Sequence, residues 1–87
     1  MRRATAEDRG LALLTIHQPD RADRSLQLHG EGYRIGRDSG MEIQIEHAAV
    51  SRVHALLQKQ GRYWILRDQG STNGLWWKGR RVQELEL

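Results

Sequence analysis

The sequence predicts an all-β fold, an antiparallel β-sandwich. Three observations carry that expectation: apolar segments have strand length, several alternate with period two, and turn residues separate them at close intervals. The alternation excludes a helical reading of these runs.

The elements follow in order. Met1 to Gly10 is polar and charged without apolar periodicity and reads as a flexible tail (1–10), which places the domain at 11–87. The first strand segment, Leu11 to His17, ends before the turn pair Pro19-Asp20. Leu26-Gln27-Leu28-His29 alternates, and Gly30-Glu31-Gly32 turns the chain into Tyr33 to Gly36. Ser39-Gly40 precedes a second alternating run, Glu42-Ile43-Gln44-Ile45-Glu46. His54 to Gln60 ends at Gln60-Gly61, Tyr63 to Arg67 at Gln69-Gly70-Ser71, and Leu75 to Trp77 at Lys78-Gly79. The last segment, Arg81 to Leu87, closes on Glu84-Leu85-Glu86-Leu87 without a turn or polar cap. The final strand is therefore expected to be cut short, its edge open or completed by another segment.

With 87 residues, 38% hydrophobic and 29% charged, the chain has room for one domain with one modest core. The absence of cysteine removes disulfides and thiolate metal sites as means of holding it together. There is no apolar run of spanning length, and Met1-Arg2-Arg3 leads into Ala4-Thr5-Ala6-Glu7-Asp8 rather than an apolar leader, so a cytoplasmic location without membrane contact is expected. The net charge is +3, and 12 of the 14 basic residues are arginine, whose planar donor fork suits phosphate and carboxylate. Anionic partners are favoured, though composition does not choose between nucleic acid, acidic surfaces and phosphorylated peptides.

Three short motifs fall in turns: Gly36-Arg37, Ser51-Arg52-Val53-His54 and Ser71-Thr72-Asn73-Gly74. In a sandwich the loops at one end converge, so polar residues from separate turns can meet on one ligand. In order and spacing the motifs resemble the forkhead-associated (FHA) family, from about Leu11 onward. The resemblance implies a β-sandwich that binds phosphothreonine. Carried onto these positions, it implies Arg37 and Ser51 as phosphate ligands and Arg52 as a more variable basic contact. Thr72 would shape the phosphothreonine pocket and Asn73 would bond the peptide backbone, with Gly36, His54 and Gly74 as architecture. The chain departs from the family in having Lys78-Gly79 where Asn-Gly is common, and in lacking a counterpart of the family's last strands after Leu87.

Each residue also has a plainer reading. Arg37 or Arg52 alone would be a solvated loop arginine, and Ser51 an ordinary turn serine. His54 lies three residues after Ser51, yet no orienting carboxylate or oxyanion hole stands at recognisable spacing, so it reads as structural rather than catalytic. His17, His29 and His47 lack ligand spacing with it, and neither metal nor cofactor is expected. Asn73-Gly74 is turn chemistry with or without a ligand. Trp76 and Trp77 are adjacent and must face opposite ways in one strand, which places at least one of them in the core.

The expected function is a non-enzymatic, phosphothreonine-dependent interaction module. Its partner would be a segment phosphorylated by a Ser/Thr kinase, on another protein or on its own full-length chain. Two alternatives stand beside it: a basic nucleic-acid-binding β domain, and a phosphate-independent scaffold that binds through a sheet face or edge.

Overall fold

A computed structural model describes residues 12–87, so the tail expected over 1–10 lies outside the described residues. The strands in chain order are β1 (Ala12–Ile16), β2 (Arg24–Leu28), β3 (Gly32–Gly36), β4 (Ile43–Gln44), β5 (Ala55–Gln60), β6 (Tyr63–Asp68), β7 (Leu75–Trp77), β8 (Arg80–Val82) and β9 (Glu84–Glu86). No helix interrupts them.

Side-chain alternation gives each strand an inner and an outer face. In β1, Ala12, Leu14 and Ile16 pack on the core while Leu13 and Thr15 point outward. β2 opposes β1 antiparallel, with Ala12 on Leu28 and Leu14 on Leu26, and the Thr15 and Ser25 hydroxyls bond across the outer face at 3.2 Å. The main sheet has the order β4-β3-β5-β6-β9. Its inner face carries Tyr33, Ile35, Leu57, Trp64 and Leu66, brought level by the pairs Tyr33–Leu57 and Leu57–Leu66. The core gathers on that face around Ala12, Leu28, Ile43, Leu57 and Trp64, and the Tyr33 and Trp64 rings meet at 6.1 Å with a 49° tilt.

The second layer is divided. β1–β2 and β7–β8 are separate two-stranded sheets. An apolar groove of about 600 Å³ opens between them, lined by Leu14 and Ile16 from one hairpin, Leu75 and Trp77 from the other, and Leu57 and Leu66 beneath. The β7–β8 turn forms on Lys78-Gly79 with φ of 50° and 77°, the double left-handed conformation of a type I′ hairpin turn.

Three expectations are corrected. The sheet is not purely antiparallel, because β4 runs parallel to β3, Ile35 beside Ile43 and Gly36 beside Gln44. The chain is drawn back there by Glu42, whose carboxylate accepts from the Arg34 amide at 2.8 Å and from its guanidinium at 2.7 Å. The expected Glu42–Glu46 strand is only Ile43–Gln44, since after the Ile45 amide bonds the Gly36 carbonyl at 2.8 Å the chain turns, the His47 amide donating to the Ile45 carbonyl at 3.1 Å. The run from Arg81 to Leu87 is two strands in different sheets. Val82 still pairs with Leu75, then the Gln83 carbonyl accepts the Asp68 amide at 2.8 Å and Leu85 crosses to Leu66. β9 pairs with β6 and stands last in the sheet order, with no strand on its other side among the described residues, in line with the open edge expected there.

Leu57 is fully buried at the centre of the inner face. Replacing it with alanine is expected to cost about 2–5 kcal/mol through lost transfer energy and a residual cavity, read as a lowered midpoint in urea unfolding.

Candidate functional site

Two loops and a turn meet at one end of the main sheet because the main chain ties them together. As β3 ends, the Arg37 amide donates to the Ser51 carbonyl at 2.9 Å and the Asp38 amide to the Arg52 carbonyl at 3.2 Å. The approach is so close that a Cβ on Gly36 would lie 2.0 Å from the Arg52 oxygen, which leaves no side chain but hydrogen. Across the site the Thr72 amide donates to the Ser51 hydroxyl oxygen at 3.0 Å, joining the 48–53 loop to the 70–74 turn.

His54 holds both. Its Nδ1 accepts the Ser51 amide at 3.0 Å and its Nε2 donates to the Gly74 carbonyl at 2.9 Å, which selects the Nε2–H tautomer. His54 as a whole is 9% exposed. With both nitrogens engaged by main chain, it is placed as a strut.

The resulting cleft, about 480 Å³, is lined by Arg37, Ser51, Arg52, Thr72 and Asn73, with Ala49 and Val50 between them. The structure brings together every residue singled out as a candidate ligand. The Arg37 Nε donates to the Val50 carbonyl at 3.0 Å, which fixes the plane of the guanidinium without using its Nη groups. The Ser51 oxygen is used as an acceptor, so its hydroxyl proton remains to be donated. The Asn73 Nδ2 donates to the Ala49 carbonyl at 2.8 Å, a bond that does not use its Oδ1. Arg52 and Thr72 are exposed on the rim.

The 70–74 turn has its own buttress in Asp68. Its carboxylate accepts the Ser71 hydroxyl and, at 3.1 Å, the Ser71 amide, while the Ser71 oxygen accepts the Gly74 amide at 2.9 Å. Burial by itself would raise the Asp68 carboxyl. The Ser71 hydroxyl and the Ser71 and Gly70 amides outweigh it and hold the group below the ordinary aspartate range.

Sequence reasoning missed Asp68, although Asp68-Gln69-Gly70-Ser71 carries the signature of a side chain capping its own turn. It also missed Trp76 and Arg81. The Trp76 Nε1 donates to the Asn73 carbonyl at 2.8 Å and the Arg81 Nη2 to the Ser71 carbonyl at 3.3 Å, contacts that no spacing announces. Gly74 has φ +81°, and a Cβ there would also strike the Arg81 guanidinium at 2.4 Å.

Because the Asp68 pKa is depressed on folding, its stabilising contribution is complete above the unfolded aspartate value and is lost as pH falls through the folded one. Thermal unfolding followed from neutral pH to about pH 3 is expected to show a smaller acid loss in Asp68→Asn than in the parent.

Comparison with known proteins agrees with this geometry. The sequence profile of the family described as FHA domain matches residues 33–87. The ABC transporter ATP-binding/permease protein Rv1747 of Mycobacterium tuberculosis is 39% identical over 59 residues, 67% of this chain and 7% of the transporter. The chain thus spans a small fraction of that relative. The crystal structure of the Rv1747 FHA-1 domain superposes with a TM-score of 0.71 at 28% identity, covering 88% of this chain and 76% of that one. An FHA domain solved in a structural and functional analysis of phosphothreonine-dependent FHA domain interactions gives 0.71 at 31% identity, covering 86% and 75%. The FhaA FHA domain, solved in complex with the intracellular domain of Rv3910, gives 0.72 at 31%, covering 86% and 79%. With the profile match over most of the described fold and these superpositions, the chain belongs to the FHA domain family.

Proposed function

We propose that this domain is a phosphothreonine reader that binds a kinase-phosphorylated segment of a cytoplasmic partner, or of its own full-length chain, without catalysing a reaction. The observation that carries this reading is the convergence of Arg37, Ser51, Arg52, Thr72 and Asn73 on one cleft from separate parts of the chain. Phosphate carries a charge of about −1.5 to −2 at neutral pH and needs charge-assisted donors. The oriented Arg37 fork and the Ser51 hydroxyl supply them, and Arg52 adds a second cation on the rim. The Asn73 carboxamide, anchored on Ala49, is set to bond the ligand main chain beside the phosphoresidue. A phosphothreonine-dependent relative and one bound to another protein's intracellular domain support a protein segment as ligand.

Each charged hydrogen bond contributes on the order of 1.5–3 kcal/mol. Arg37→Ala and Ser51→Ala are each expected to weaken a phosphothreonine peptide, chosen from an oriented library, by roughly tenfold to a hundredfold in calorimetric titration. The unmodified peptide should show no measurable binding. Equal binding of phosphorylated and unmodified peptides would overturn the reading, and a steep loss of affinity with salt would favour a nucleic acid instead.

A further inference from the structure

Trp76 is 62% exposed, so its large ring contributes little to the core. Its one polar atom nevertheless has a defined partner, the Asn73 carbonyl at 2.8 Å. Directly opposite in the β7–β8 register stands Arg81, whose Nη2 donates to the Ser71 carbonyl at 3.3 Å and whose guanidinium lies against Gly74. Two facing residues of one hairpin thus grip two carbonyls of the same turn, Ser71 before Thr72 and Asn73 after it. Asn73 is then held twice: its side chain on Ala49 and its carbonyl on Trp76.

We propose that Trp76 and Arg81 are positioning residues that clamp the Ser71–Gly74 turn from the β7–β8 hairpin, so that Asn73 presents its carboxamide to the ligand main chain. The proposal rests on the phosphopeptide reading above. The tight Lys78-Gly79 turn serves it by fixing the register that sets Trp76 beside Arg81. The clamp acts through Asn73 and not through the phosphate contacts of Arg37 and Ser51. Removing it should loosen main-chain recognition while the phosphate donors remain in place.

The test compares Trp76→Phe, which keeps the ring and loses the N–H, with Asn73→Ala and the double variant. Against the tightest phosphothreonine peptide of the library screen, Trp76→Phe is expected to lose about threefold to tenfold in affinity and to cause no further loss once Asn73 is alanine. The same loss in both backgrounds would overturn the proposal. Amide hydrogen exchange supplies a readout that needs no ligand. In Trp76→Phe it is expected to accelerate at Thr72, Asn73 and Gly74 alone, with the thermal midpoint nearly unchanged. Unchanged exchange at the turn, or acceleration throughout the fold, would overturn the clamp. If the parent domain binds no phosphothreonine peptide, the reader function fails and the exchange pattern still decides the clamp.

Discussion

One buried imidazole fixes the distance between the two segments that carry the candidate ligands. His54 accepts the Ser51 amide on one nitrogen and donates to the Gly74 carbonyl with the other, so the 48–53 loop and the 70–74 turn are referenced to the same ring. The ring is itself placed by the main chain, since the His54 amide donates to the Ile35 carbonyl at 2.8 Å and the His54 carbonyl accepts the Gln69 amide at 3.0 Å. Gly36 completes the arrangement by letting the end of β3 come against the Arg52 carbonyl. Arg37 follows at once, and its position depends on that contact. Among the described residues no buried side-chain nitrogen or oxygen lacks a partner, which is what a rigid polar end of a sandwich requires.

Charge is distributed unequally between framework and cleft. Arg34 pairs with Glu42 at 2.7 Å and Arg67 with Glu84 at 3.5 Å, both partly open to solvent. Such pairs contribute little stability each. Their value here is geometric: Arg34 also donates to the Gly40 carbonyl at 3.1 Å and so closes the loop that follows Arg37. Hydrogen bonds from the Arg34 side chain and amide hold the Glu42 carboxyl at about 2, so the closure keeps its charge throughout the neutral and mildly acidic range. Arg37 and Arg52, by contrast, form no ion pair among the described residues. Both line the cleft, so their charge makes its local potential positive.

The two layers are not equivalent. The main sheet is continuous and carries most of the buried side chains, whereas the second layer consists of two hairpins flanking an apolar groove. The β7–β8 hairpin therefore takes its position from the turns at its ends as well as from packing. Lys78 adds to this by placing its ammonium 5.3 Å from the Trp77 ring centroid. Trp76 is 62% exposed and Trp77 half-buried, as adjacency in one strand imposes, but both border the groove and neither belongs to the core cluster, so the expectation that one of them lies in the core is not met.

Strand class, most strand positions and the three turn motifs are legible in the residues alone, because alternation and turn chemistry are local and survive without knowledge of neighbours. Tyr33 to Gly36 and Tyr63 to Arg67 fall within observed strands for that reason, as does Leu26 to His29 except for His29 itself. Whatever depends on distant pairing emerges with the closed fold. It set the parallel alignment of β4, drawn back by Glu42, and the break at Gln83, where Asp68 captures a carbonyl and the chain changes sheet. It also decided that Ser51 and Thr72, 21 residues apart, are bonded directly, and that Trp76 and Arg81 reach back onto the turn between them. Local pattern encodes which face of a strand is apolar. It does not encode which carbonyl a side chain will meet once the sheets have closed.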